Sequence, residues 1–167
     1  MTPGSRVVHH TCDESRAYGW DGIERTTYKP DDGTYLGISR QTLLGAGDDE
    51  RALPHVTRYF EIAPGGYSTL ERHEHPHSVV IVRGSGRVIL DTNVHDVARL
   101  DCVYVSPGTL HQFHADTEGP LGFLCIVERE RDRPRLPSED DLERLGAVTN
   151  VAALMKARGH DETGDSR

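Results

Sequence analysis

The feature that most constrains this chain is a row of metal-binding side chains at alternate positions. Glu71, His73, His75 and His77 are each separated by one residue. Alternate residues of an extended strand point to the same face, so the four groups are predicted to converge. Imidazoles with a carboxylate suit a divalent transition metal such as Fe, Zn, Mn, Ni or Cu, and are too soft a set for Ca²⁺ or Mg²⁺. The row therefore predicts a site for one such ion.

Turn-forming residues bound this row on both sides. Residues 64–66 read Pro-Gly-Gly and residues 84–86 read Gly-Ser-Gly, with an apolar run at 79–82 before the second turn. Apolar runs bounded by Gly and Pro are typical of β-strands joined by tight turns. The pattern predicts a hairpin that carries the candidate ligands.

The spacing resembles the first motif of the cupin superfamily, written G-x5-H-x-H-x3-E-x6-G. The matching positions here are Gly65-x5-Glu71-x-His73-x3-His77-x6-Gly84. Every gap agrees, but Glu stands where the family has its first His, and His stands where the family has its Glu. A second register is also open, in which His73 and His75 are the paired histidines and the interval before His77 is two residues shorter.

A second segment is similar to the other cupin motif, G-x5-P-x-G-x2-H-x3-N. The matching positions are Leu100-x5-Ser106-x-Gly108-x2-His111-x3-Ala115. This match keeps the second Gly and the ligand His, and it lacks three other positions. It makes His111 a candidate ligand distant in sequence, and His73, His77 and His111 belong to both registers.

The resemblance covers about residues 35–128 and implies an all-β fold, a single small antiparallel β-barrel of the jelly-roll type. It also implies one metal ion inside the barrel, usually held by three His and one carboxylate. Glu71 completes this set in the register that preserves the spacing, and His75 completes it in the other. The spare group would stand beside the substrate, where Glu71 is a candidate general base.

Composition limits the class of protein further. A chain of 167 residues suits one domain with its own core. The net charge of -8 argues against nucleic acid or an anionic membrane as a partner, because phosphate groups attract basic surfaces. The sequence has no membrane-spanning apolar stretch and no secretory signal, and its three Cys do not form a disulfide framework. We therefore expect a cytoplasmic protein.

The chain divides into four predicted parts: a disordered tail at 1–16, the barrel domain at 17–134, a helical extension at 135–158 and a polar tail at 159–167. Short strands separated by turns fill the barrel domain, as in all-β sandwiches and barrels. Ser138 with Asp141 three residues later predicts a capping box that opens a helix. Asn150 is a candidate cap for a second helix over 151–158.

Candidate pocket residues follow from strand alternation. Arg58 lies on a predicted strand with Phe60, either as a solvated surface residue or as a clamp for an anionic substrate. Tyr104 precedes a turn and is a candidate catalytic hydroxyl. Phe113 shares the parity of His111, and with Phe123 it is a candidate apolar wall.

Two cysteines fall inside predicted strands, Cys102 and Cys125. A buried, inert thiol is the usual role of such residues. Strand parity leaves open which of them faces the metal.

The ligand set predicts a metal-dependent enzyme acting on a small, anionic organic substrate, as a dioxygenase, isomerase, lyase or decarboxylase. An open coordination position would let the metal bind substrate or activate oxygen. The alternative is a non-catalytic barrel that binds a small molecule as a sensor or storage module. An edge strand near Tyr28 would also permit a homodimer through sheet extension.

Overall fold

The computed structural model describes residues 5–11, 17–30 and 32–157. The strands are β1 (Thr26–Thr27), β2 (Leu36–Leu44), β3 (His55–Tyr67), β4 (His77–Arg83), β5 (Ser85–Leu90), β6 (Asn93–Ala98), β7 (Cys102–Val105), β8 (His111–Ala115) and β9 (Leu121–Glu128). A short 3₁₀ turn, Asp48–Glu50, separates β2 from β3. The strand pairs are antiparallel, which confirms the predicted all-β class.

The strands form one curled sheet in the order β6-β5-β8-β3-β9-β4-β7, and β2 pairs with β3 and with the short edge strand β1. The curl encloses a core of aliphatic and aromatic side chains. Three aromatic rings pack together in this core. The Phe123 ring lies 5.5 Å from the Phe60 ring and 4.7 Å from the Phe113 ring, measured between ring centroids. The sheet therefore surrounds a lined interior, as the predicted barrel requires.

Strand register decides which side chains face that interior. Phe60 on β3 pairs with Phe123 on β9, and two residues away Arg58 pairs with Cys125. Cys125 in turn pairs with Val79 on β4. Since residues two apart share a face, Arg58 and Cys125 lie on the inner face with the aromatic core.

Part of the N-terminal segment that was predicted to be a tail contacts the folded domain. His10 forms an isolated bridge with Trp20, and their ring centroids are 5.3 Å apart. Arg6 pairs with Glu50 at 2.6 Å. Residues 5–11 therefore contact the folded domain, while Cys12 and the rest of the predicted tail lie outside the described residues.

The C-terminal extension begins as predicted and then departs from the prediction. Helix α1 spans Glu139–Gly146, and the Ser138 hydroxyl accepts a hydrogen bond from the Asp141 amide at 3.2 Å. Helix α2 spans only Thr149–Ala152, with Val148 at its cap instead of Asn150. The predicted longer second helix is wrong because the chain after 152 runs along the barrel, where Leu154 and Met155 are buried.

A buried amide fastens this extension to the barrel. Gln112 on β8 donates to the carbonyls of Ser68 and Lys156, both at 2.8 Å, and accepts from the Lys156 amide at 2.9 Å. The His114 imidazole donates to the same Gln112 side chain at 3.0 Å. Gln112 and His114 have the opposite parity to His111 and Phe113 on β8, and both are buried.

No helix within the described ranges is long and apolar enough to cross a membrane.

The buried His114 makes stability depend on pH. Burial lowers the pKa of His114 from 6.5 to about 4, with smaller contributions from the charges of Arg87 and Lys156. Between about pH 6.5 and pH 4, His114 is therefore protonated in the unfolded chain but still neutral in the folded chain. The free energy of unfolding does not depend on this group above pH 6.5, and below it the free energy falls as pH drops, by up to about 1.4 kcal/mol per pH unit.

We predict that His114→Gln, which keeps a donor for Gln112 but does not titrate, flattens this pH dependence between pH 6.5 and 4. Urea unfolding of both proteins across that range measures the difference. His95→Gln, at an exposed position on β6, is the matched control and should follow the parent protein. Equal slopes in His114→Gln and the parent would contradict the prediction.

Candidate metal centre

Of the four alternating candidates, Glu71, His73 and His75 lie on an irregular segment between β3 and β4 and not on the predicted strand, and only His77 belongs to a strand. Glu71 pairs instead with His111 at the start of β8, through two backbone hydrogen bonds of 3.2 and 2.9 Å. The His73 carbonyl accepts from the Gly108 amide at 2.8 Å. These bonds attach the segment to the turn that carries His111, so residues distant in sequence come together.

Three histidines form a buried group, His73, His77 and His111, with one ring nitrogen of each within 4.8 Å of the others. The Nδ1 atom of His73 lies 2.7 Å from the His75 carbonyl, and the Nδ1 atom of His111 lies 3.0 Å from the Thr109 carbonyl. A carbonyl oxygen only accepts, so Nδ1 carries the proton in both rings. Their Nε2 atoms are left with a free lone pair for a metal.

The chemistry of this group fits a divalent transition metal. The Nε2 atom of His73 is buried and has no hydrogen-bond partner, which is costly for a polar atom unless a ligand satisfies it. Burial, together with His111 and His75, lowers the pKa of His73 to about 4, and burial also lowers the pKa values of His77 and His111. The rings are therefore neutral at pH 7, as metal ligation requires.

His75 stands beside this group. Its ring stacks on His73 with centroids 3.9 Å apart, and its Nε2 atom lies 3.1 Å from the Nε2 atom of His77. On the other side, Nδ1 of His75 lies 2.6 Å from the Asp132 carboxylate. Asp132 also accepts from the backbone amides of Glu74 and His75 at 2.9 and 3.1 Å, and these bonds lower its pKa. The carboxylate thus turns the free nitrogen of His75 toward His77.

Glu71 lines the same cavity. Its carboxylate forms an ion pair with Lys29 and accepts a hydrogen bond from the Tyr28 hydroxyl at 3.3 Å. Burial and the adjacent Glu71 charge raise the pKa of Tyr28 well above its usual value, so the phenol remains a donor. Both registers of the motif therefore bring their fourth group into the cavity, but Glu71 arrives already paired with a cation.

The cavity has a volume of about 420 Å³. Its apolar wall includes Phe113 and Phe123, as the sequence predicted, together with Phe60. Cationic residues outnumber carboxylates in its lining, with six against two: Lys29, Arg40, Arg58, Arg129, Arg131 and Arg133 against Glu71 and Asp132. In a chain of net charge -8 this concentration of positive charge is local, and it favours a small anionic ligand.

Cys125 is the cavity residue whose role sequence analysis left open. Its sulfur lies 3.5 Å from Nη2 of Arg58 and 3.7 Å from Nδ1 of His77, and the residue is buried. Burial raises the pKa of this thiol, and the positive charge of Arg58 opposes that shift. Cys102 is exposed on β7 instead. The signal that could have placed Cys125 is its pairing with Arg58, which only the β3–β9 register supplies.

Tyr104 does not reach the cavity. The residue is 65% exposed on β7, while its neighbours Val103 and Val105 are buried. Strand alternation therefore directs the Tyr104 hydroxyl to the outer surface, away from the histidines. Arg58, by contrast, lines the cavity as the substrate-clamp alternative predicted.

Comparison with known proteins places this architecture in a family. The model of the cupin domain matches residues 58–127. A curated relative, 1-methylthio-D-xylulose 5-phosphate methylsulfurylase from Rhodospirillum rubrum, is 41% identical over 139 residues, which cover 83% of this chain and 86% of the relative.

Two solved structures agree with this assignment. A cupin 2 conserved barrel domain protein from Rhodopseudomonas palustris is 39% identical, with a TM-score of 0.80, and the match covers 91% of this chain and 100% of the other. A cupin 2 domain-containing protein from Halorhodospira halophila is 44% identical, with a TM-score of 0.71 and coverage of 93% and 100%. On this evidence, and on the barrel and histidine group described above, the chain belongs to the cupin superfamily.

Proposed function

We propose that this protein is a metal-dependent cupin enzyme that removes the methylthio group from a small phosphorylated ketose. The observation that carries the proposal is the position of the Cys125 thiol, 3.7 Å from the candidate ligand His77 inside a cationic cavity. The name of the Rhodospirillum rubrum relative supplies the substrate class, a methylthio sugar phosphate. Of the reaction types that the sequence left open, this cleavage of a carbon–sulfur bond is nearest to a lyase.

Reductive removal of a methylthio group, which leaves a deoxy sugar, needs an acceptor for the sulfur, and Cys125 is the described thiol that lines the cavity. The Cys125 thiolate attacks the methylthio sulfur, so an S–S bond forms and the bond from that sulfur to the sugar carbon breaks. The electron pair passes to that carbon, is delocalised into the adjacent ketone, and is finally taken up by a proton. The products are a deoxy ketose phosphate and a methyl disulfide on Cys125, which an external small thiol must reduce before the next turnover.

The chain's own groups suit these steps. The Arg58 guanidinium donates toward the Cys125 sulfur. With Nε2 of His77 on a metal, Nδ1 of His77 would carry the ring proton and also face the sulfur, so both groups would stabilise a thiolate. Glu71, hydrogen-bonded to Tyr28 and paired with Lys29, lies where a proton could be exchanged with the substrate. A divalent metal held by His73, His77 and His111 would polarise the ketone as a Lewis acid.

The direct test of the proposal is turnover of 1-methylthio-D-xylulose 5-phosphate by metal-loaded protein in the presence of a small thiol such as dithiothreitol. Release of the deoxy ketose phosphate, detected by mass spectrometry, is the expected result. Binding of this compound without any product would favour the sensor or storage alternative. If the protein neither binds this compound nor releases product from it, the substrate class is excluded.

Replacement of Cys125 tests the sulfur acceptor. We predict that Cys125→Ser lowers turnover by at least about 1000-fold, because the nucleophile is lost, while metal content is unchanged. Single-turnover mixing without added thiol should leave one methylthio group on the parent protein, at Cys125, in the intact-protein mass spectrum. Cys102→Ser, at the exposed cysteine of β7, is the matched control and should retain full activity. Adduct formation in Cys125→Ser would contradict the mechanism.

Replacement of His111 tests the metal centre. We predict that His111→Ala lowers the affinity for divalent metal at least about tenfold, because β8 supplies the ligand that closes the group opposite His73 and His77. Metal titration with elemental analysis measures the change, and circular dichroism checks that the barrel remains folded. His95→Ala, on the exposed face of β6, should bind metal like the parent. Full occupancy in His111→Ala would remove His111 from the centre.

The fourth ligand is proposed to be His75, because the Glu71 carboxylate is already committed to Lys29 and Tyr28. We predict that His75→Ala weakens metal binding, whereas Glu71→Gln retains metal and lowers turnover by about 100-fold through loss of a proton-transfer group. Metal stoichiometry and turnover of the two variants decide between the registers. Metal loss in Glu71→Gln together with full metal in His75→Ala would restore the spacing-preserving register.

A further inference from the structure

Two arginines on neighbouring strands share the inner face of the barrel. On the β2–β3 pair, Arg40 lies opposite Phe60 and Thr42 lies opposite Arg58. Arg40 and Arg58 are therefore diagonal neighbours with the same parity as Phe60, and both line the cavity. The Arg58 guanidinium lies over the Phe60 ring at 5.1 Å from its centroid, a cation–π contact that fixes its orientation.

These arginines lack partners for their charge. The Nε atoms of Arg40 and Arg58 are both buried without a hydrogen-bond acceptor. A third arginine, Arg131, stands at the mouth of the same cavity, and its guanidinium donates to the carbonyls of Glu128 and Arg129 at 3.0 and 3.2 Å. Among the described residues, none of the three forms an ion pair with a carboxylate.

The three positive charges also act on one another. Arg131 is exposed as a whole, but partial burial of its guanidinium and the nearby charges of Arg58 and Arg40 lower its pKa. The two carboxylates of the cavity do not relieve this repulsion, since Glu71 pairs with Lys29 and Asp132 is bound to the 74–75 backbone and His75. Like charges with unsatisfied buried N–H groups are costly unless an anion joins them.

We propose that Arg40, Arg58 and Arg131 form a subsite for the phosphate monoester of the substrate, and that Arg40 and Arg131 determine the preference for a phosphorylated ligand. The inference rests on the proposed function for the identity of the ligand. A phosphate dianion accepts paired N–H donors from planar guanidinium groups, which is the geometry that arginines supply and lysine does not.

The subsite has a fixed relation to the reacting end of the cavity. Arg58 touches the Cys125 sulfur at 3.5 Å, so the anion subsite begins next to the thiol. Arg131 lies between the end of β9 at Glu128 and two attachments to the irregular segment between β3 and β4, one from Asp132 to His75 and one from the backbone pairing of Arg135 with Arg72. Arg131 is therefore held in place before the ligand arrives.

Equilibrium binding of inorganic phosphate to the metal-loaded protein, measured by calorimetry, tests the subsite without any turnover. We expect Arg40→Gln and Arg131→Gln each to weaken phosphate binding at least about tenfold, since each removes charge-assisted hydrogen bonds. Arg135→Gln is the matched control, because it removes an equal charge from the same segment but from a guanidinium paired with Glu74. Metal content is measured in every variant and should be equal.

Three results would overturn the subsite: unchanged phosphate affinity in both variants, an equal loss in Arg135→Gln, or a loss explained by lower metal content. Because Arg131 is at the mouth, Arg131→Gln keeps the test valid if Arg40→Gln fails to fold.

Steady-state kinetics supply a second measurement. We expect Arg40→Gln to raise KM for 1-methylthio-D-xylulose 5-phosphate at least about tenfold and to leave KM for the unphosphorylated sugar unchanged. The proposed function and the phosphate subsite can fail separately, and the results tell the two failures apart. Phosphate binding that depends on Arg40 and Arg131 without methylthio release overturns the proposed function alone, whereas methylthio release with unaltered KM in Arg40→Gln overturns the subsite alone.

Discussion

The main physical constraint on this structure is the cost of burying polar nitrogen atoms that have no hydrogen-bond partner in the protein. In the described part of the chain, the buried side-chain nitrogen or oxygen atoms that lack a hydrogen bond are Nε of Arg40, Nε of Arg58 and Nε2 of His73. Each such atom costs about 1–3 kcal/mol when it is withdrawn from water. All three line the same cavity. This concentration of unpaired buried atoms supports both proposals, a metal at the histidine end of the cavity and an anion at the arginine end.

The rest of the fold holds these atoms in position. The imidazoles of His73 and His111 are locked by backbone carbonyls, and His75 by a carboxylate, so their orientation does not depend on a bound ion. The aromatic rings of the inner face exclude water from one side. The irregular ligand loop is fixed by backbone pairing with β8. The packed sheet thus supplies the stability that offsets the cost of the unpaired buried polar atoms in the loop and at the strand ends.

Sequence patterns predicted the strands and the histidine group, because spacing and alternation report directly on which residues share a face, but they left open whether Arg58 faces the solvent or the pocket. They could not decide between Glu71 and His75. What separates these two is the direction of their side chains, and that is set by Lys29 and Asp132, which are distant along the chain. The patterns could not place Tyr104 on the outer face for a related reason, since the parity of a four-residue strand is known only once its partner is known.

Most of the charged residues that line the cavity lie outside the part of the chain that the family model matches. The cupin model covers residues 58–127, which include the histidines, Arg58 and Cys125. Lys29 and Arg40 precede that range, and Arg131 and Asp132 follow it. Because one fold hosts many reactions, the matched core identifies a barrel that can hold a metal. The segments before and after it supply most of the cavity's charge, so differences in substrate among related barrels should be sought there first.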